Sequence, residues 1–134
     1  MTTTEDKSTR LTTLLQERPP FIPESAEAMT MLVEVPPGGP GLRPHRHAGP
    51  VFGYVLEGEI VFEVEGEPER IIRAGEAFWE PGGDVIHYQD GNNLADAWSR
   101  FVVVMMMVPG QPMLTLVDTD ELARRRDRRA PRPR

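Results

Sequence analysis

The chain has 134 residues, 39% of them hydrophobic and 27% charged, with a formal net charge of −6 at pH 7. That size and mixture fit one globular domain around a single core. There is no cysteine, which excludes disulfides, thiolate nucleophiles and sulfur-ligated metal sites and leaves nitrogen, oxygen and water as metal donors.

Residues 1–27 read as an N-terminal arm. Leu11, Leu14 and Leu15 have helical spacing and predict a short amphipathic turn ending before Pro19-Pro20. The first ten residues are polar, without the apolar stretch of a signal peptide, and no apolar run approaches the roughly 18 residues of a membrane span. The expectation is a cytoplasmic protein with no membrane contact. Residues 28–118 change to short apolar runs broken by Gly and Pro. They predict strands over 29–35, 52–57, 59–65, 70–73, 77–79, 84–89, 99–108 and 113–117, the pattern of a sandwich or barrel. Glu57-Gly58 and Glu65-Gly66 fall where hairpin turns are needed.

Between those turns Ile60, Phe62 and Val64 alternate with residues that include Glu59, Glu63 and Glu65. One face is expected in the core and the other acidic and wet, with Arg70, Arg73 and Arg100 offsetting the carboxylates from adjacent strands. The longest apolar run, 101–108, presents Phe101, Val103 and Met105 on one face and Val102, Val104 and Met106 on the other. One face suits a cavity wall, the other a second sheet or a second copy of the chain, so a homodimer is expected. Residues 119–134 are expected to be a disordered basic tail, since 124–134 hold seven Arg against one Asp. No aromatic is interleaved with these arginines, which argues against nucleic acid as a partner.

The chain's three histidines carry the functional signal. His45 and His47 alternate around Arg46, and alternate residues of a strand project to one face about 7 Å apart. Two such imidazoles can converge on one ion about 2.0–2.1 Å from each nitrogen. His87, following Pro81-Gly82-Gly83, completes a three-nitrogen set if it arrives from a neighbouring strand. By parity with the histidine pair, Val51, Gly53 and Val55 point inward, and Val51 and Gly53 make an apolar, open wall. Trp79, Phe101 and Gln89 are candidate pocket residues, Gln89 because it shares the face of His87 if that strand is regular. Glu80 and Tyr88 are the candidate proton-transfer groups, and Glu80 or Gln89 a candidate fourth metal ligand. Phosphate loops, dinucleotide-binding glycine motifs and nucleophile elbows do not occur.

The order Gly39, His45, His47, Val51, Gly58 and then Gly75, Pro81, Gly83, His87, with Gly53-Tyr-Val-Leu-Glu-Gly58-Glu between, resembles the two motifs of the cupin superfamily over about residues 28–117. The resemblance implies an all-β, single-domain jelly-roll β-barrel with the metal inside. Two departures stand out. The usual first motif carries a Glu three or four residues after the second His, where this chain has Val51 and Phe52. The second motif has one extra residue before His87. Cupins of the cysteine dioxygenase and acetylacetone dioxygenase kind also dispense with that Glu, on non-haem iron(II). The resemblance therefore implies an iron dioxygenase acting on a small organic molecule. A Lewis-acid isomerase or cyclase using Zn, Ni or Mn, or a small-molecule binder without catalysis, are the alternatives.

Overall fold

The structure, a computed structural model, describes residues 8–132; parts of the expected arm (1–7) and tail (133–134) lie outside the described residues. Nine strands are assigned among the described residues: β1 Glu27–Val35, β2 His45–Arg46, β3 Val51–Glu57, β4 Glu59–Val64, β5 Arg70–Arg73, β6 Ala77–Glu80, β7 His87–Asn92, β8 Ser99–Met107 and β9 Thr115–Leu116. A helix α1, Thr119–Arg124, and a 3-10 turn, Arg126–Arg128, follow. The strands form two antiparallel sheets, β1-β8-β3-β6 and β5-β4-β7-β2-β9. This is the expected all-β jelly-roll architecture.

Each sheet turns one apolar row inward. Val51 and Val55 of β3, Ile60, Phe62 and Val64 of β4, Phe78 of β6 and Phe101, Val103 and Met105 of β8 form one buried cluster. Every one of these positions follows the period-2 alternation of its strand. Full burial of side chains such as Ile60 or Phe78 contributes about 1.5–3 kcal/mol each. Gly58 makes the β3–β4 turn at φ 81°, and an added Cβ would lie 2.1 Å from the Ser99 Oγ, so both its backbone and its surroundings require glycine.

Three expectations fail. The spacing of Leu11, Leu14 and Leu15 does not produce a helical turn: residues 9–19 have no regular structure, with Leu11 and Leu14 exposed. A single short turn with no face to bury lacks the cooperative support a helix needs. The segment after residue 118 is not a disordered tail. Asp118 accepts a hydrogen bond from the Glu121 backbone N–H and starts α1. Arg125 then reaches Glu65 and Asp84, and Arg129 grips Glu63 through two hydrogen bonds of 2.7 Å. Arg46 of β2 pairs with Glu121 from the other side.

That docking also corrects the third expectation. The outward face of β4 is not wholly wet, because Glu63 is only 1% exposed beneath the C-terminal segment. Of the arginines expected to offset the carboxylates of β4, Arg73 approaches Glu59 at 3.9 Å. Arg100 pairs instead with Glu34 and Glu57, and Arg70 lies over the Phe62 ring.

Burial works against the Glu63 charge, but hydrogen bonds from Arg129 and Gln89 outweigh it and lower its pKa. Arg129→Ala should therefore reduce unfolding free energy by about 1–3 kcal/mol in a denaturant titration, by stranding a covered carboxylate. Arg129→Lys should restore only part, since lysine cannot form the two-pronged contact. Because the folded-state pKa lies below the ordinary value, this contribution is present at neutral pH. It fades as pH falls below the unfolded value of about 4.3, so the deficit of Arg129→Ala should shrink in acid.

Candidate metal centre

The three histidines meet. His45 is the register partner of His87 across β2 and β7, and His47 follows two residues on. Each is buried, and one ligand atom from each lies within 4.8 Å of the others. The His45 and His87 ring centroids are 4.9 Å apart and those of His45 and His47 4.8 Å. The turn before β7 is tied to the same strand: the Gly83 N–H donates to the His47 carbonyl at 2.7 Å. Gly82 (φ 76°) passes so close to Gly49 that a Cβ would sit 2.1 Å from its carbonyl oxygen. The extra residue of the second motif is thus taken up in two successive left-handed glycines, Gly82 and Gly83.

The outer nitrogens orient the rings. His45 Nδ1 lies 2.7 Å from the Arg43 carbonyl and His47 Nδ1 3.0 Å from that of Met113. A carbonyl only accepts, so each Nδ1 carries the proton and each Nε2 keeps a lone pair. This is the support that a metal-ligating imidazole ordinarily has. Both ring nitrogens of His87 are buried without a hydrogen-bond partner. An orphaned imidazole beside two oriented ones fits a divalent ion as its missing partner.

A carboxylate shares the site. Glu80, 3% exposed, ends β6 with Oε2 3.0 Å from His87 Nδ1 and 3.6 Å from His47 Nε2. Burial disfavours its charge, yet His87 and His47 outweigh this and lower its pKa. Burial likewise opposes charge on His87, but Glu80 prevails and raises its pKa. Burial and the nearby His87 lower that of His45.

The histidines and Glu80 border a cavity of about 40 Å³, otherwise lined by Asp90 and apolar residues including Met31, Leu42, Val51, Phe101, Val103 and Met105. A recess of about 250 Å³ between β1 and the 39–42 loop shares Val33, Leu42 and Asp90 with it.

Val51 and Phe101 line the cavity as expected, and Glu80 joins the histidines. Gly53 faces inward, but its space is taken: a Cβ would lie 2.1 Å from the Phe78 ring. The wall there is filled rather than open. Trp79 lies outside, stacked on Phe52 at 5.8 Å, because Phe78 and Glu80 occupy the inward positions of β6. Gln89 and Tyr88 also lie outside. β4 pairs Glu63 with Gln89 and Val64 with His87, leaving Tyr88 as an extra residue in a bulge. Past it the parity reverses, so Asp90 faces in and Gln89 donates to Glu63 and Glu69. Tyr88 packs with Ile86 and Val117, beneath Arg129. Sequence reasoning missed Asp90 and Leu42, joined by a 2.7 Å hydrogen bond from the Leu42 N–H. Neither carried a sequence signal: Asp90 faces in because of the bulge, and Leu42 lies in the loop before β2.

Residues 31–105 match the family described as Cupin domain. The chain belongs to that family. A curated relative, dimethylsulfoniopropionate lyase DddW of Ruegeria pomeroyi, is 44% identical over 54 residues, 39% of this chain and 35% of the lyase. An oxalate oxidase in complex with the substrate analogue glycolate is 28% identical with a TM-score of 0.55, over 67% of this chain and 46% of the oxidase. A sugar phosphate isomerase of the cupin superfamily from Silicibacter pomeroyi is 28% identical with a TM-score of 0.53, over 61% of this chain and 52% of the isomerase. The chain thus spans about a third of the curated lyase and about half of each of these two solved structures.

Gly53→Ala should cost about 1–3 kcal/mol in a denaturant titration by driving a methyl into Phe78. Phe78→Leu introduced alongside it should recover part of that loss, which would not happen if the cost were in the backbone.

Proposed function

We propose that this chain is a metal-dependent enzyme acting on a small organic acid by Lewis-acid chemistry, of the lyase or isomerase class. His45, His47 and His87 hold one divalent transition ion. The observation carrying this reading is the set of three buried imidazoles, two fixed by carbonyls and one orphaned, in a cavity otherwise lined by Glu80, Asp90 and apolar side chains. A bound ion would supply positive charge to draw electrons from a coordinated carboxylate or carbonyl.

The chain's own residues do the rest. Phe101, Val103 and Met105 keep water from the reacting atoms and hold the substrate's apolar part. Glu80 is the carboxylate placed to take a proton from carbon and return it. Tyr88, expected as an alternative, sits on the other face of β7. The kinship with a lyase and an isomerase supports this class.

The iron dioxygenase reading rested on the missing first-motif Glu at Val51, and the buried Glu80 sets a carboxylate beside the histidines from another strand. It survives as a second reading on one observation, the likeness to an oxalate oxidase. Zn, Ni or Mn serve the first reading and Fe the second.

Protein purified without added metal should carry about one equivalent of a transition ion, lost in His47→Ala. With short-chain carboxylic acids, elimination or isomerisation without oxygen consumption would support the first reading. Metal-dependent oxygen uptake would move the assignment to the dioxygenase. Tight small-molecule binding that persists after chelation and in His45→Ala would show a binder without metal chemistry.

The outward face of the β1-β8-β3-β6 sheet carries Leu32, Phe52, Trp79 and Val104, half-buried or exposed. We propose that two copies pair across it. Sedimentation should give a dimer that Val104→Glu dissociates while metal content stays unchanged.

A further inference from the structure

Glu80 is an anomaly if it is only a proton carrier. It is a fully enclosed carboxylate with no Lys or Arg lining its cavity. A buried carboxylate needs a compensating cation close by. Its polar neighbours are the imidazoles of His87 and His47. His87 Nδ1 is 3.0 Å from Glu80 Oε2 and still lacks a hydrogen-bond partner. The contact is short but does not have hydrogen-bond geometry.

Such separations are the ones two donors take around one ion. With about 2.1 Å from each donor to the ion, donors at right angles are about 3.0 Å apart and donors at about 120° are about 3.6 Å apart. Glu80 Oε2 is 3.0 Å from His87 Nδ1 and 3.6 Å from His47 Nε2. The backbone favours the same placement. Pro81 restricts Glu80 to an extended conformation, and cross-strand pairing with Val51 fixes its position in the sheet.

We infer that Glu80 is a direct metal donor, so that β6 supplies a carboxylate to the three-histidine centre beside Val51. The inference rests on the metal-binding reading above and extends it from three protein donors to four. One carboxylate oxygen goes to the ion, and the other is left to hold a proton.

Co²⁺ titrated into metal-free protein tests this. Affinity is measured against a competing chelator and the donor set by visible absorption. Wild type should bind one equivalent. Glu80→Gln, nearly identical in shape, should bind at least about tenfold more weakly with altered absorption bands. The exchange variant Val51→Glu/Glu80→Val returns a carboxylate to the same spot from β3 and should recover both. Weaker binding with unchanged bands would show that Glu80 only positions His87, and would overturn the inference. Unchanged affinity and bands would overturn it while leaving the three-histidine site intact. No binding by wild type would remove the underlying reading as well. Should the variants not fold, infrared difference spectra of wild type on Zn²⁺ addition decide. One carboxylate should shift to coordinated stretching frequencies, and no carboxylate change overturns the inference.

Discussion

The centre depends on one cross-strand pair. β2 is only two residues long, yet it places His45 directly opposite His87 of β7. Opposed residues in an antiparallel pair bring their side chains to within about 5 Å on one face. His47 then falls on the same side, and the Gly83 hydrogen bond to its carbonyl keeps the approach to β7 from drifting. Proline and glycine on both flanks of β2 make this possible: they end the pairing early and let the chain turn away.

The outer surface of the same sheet shows a second use of charge. β4 and β7 turn Glu63, Gln89 and Tyr88 outward, and the arginines after α1 close over them. A sequence that looks like a solvated basic end is complementary to an acidic sheet face some sixty residues earlier. Guanidinium groups suit this task, since they pair with carboxylates through two prongs and lie flat on aromatic rings. Arg46 and Glu121 extend the contact to the strand that bears His45. The histidine face and the tail-binding face are therefore opposite sides of one short strand.

Much of this was legible in the sequence. The fold followed from short alternating runs between glycines. The histidine trio followed from spacing and from the two motifs. The inward parity of Val51, Gly53 and Val55 was right because β3 stays regular to Val55. Parity failed on β7, where the bulge at Tyr88 exchanged Gln89 for Asp90. Nothing in the local residues marks a bulge, because it arises from the pairing of two strands. Motif reading also looked for a carboxylate along β3, whereas Glu80 faces the site from the adjacent strand. The openness inferred at Gly53 ignored Phe78, whose ring arrives from a strand more than twenty residues later. The tail failed for the same reason, since net charge along a segment says nothing about what it faces.

The cavity beside the histidines, about 40 Å³, admits little more than one to three water molecules. Any reactant larger than that cannot diffuse in past a rigid wall. Leu42 of the 39–42 loop and Asp90 of β7 line both this chamber and the larger recess, and the Leu42 N–H donates to the Asp90 carboxylate. Widening the passage between the two spaces requires that hydrogen bond to open, so the 39–42 segment is where the wall between them can yield.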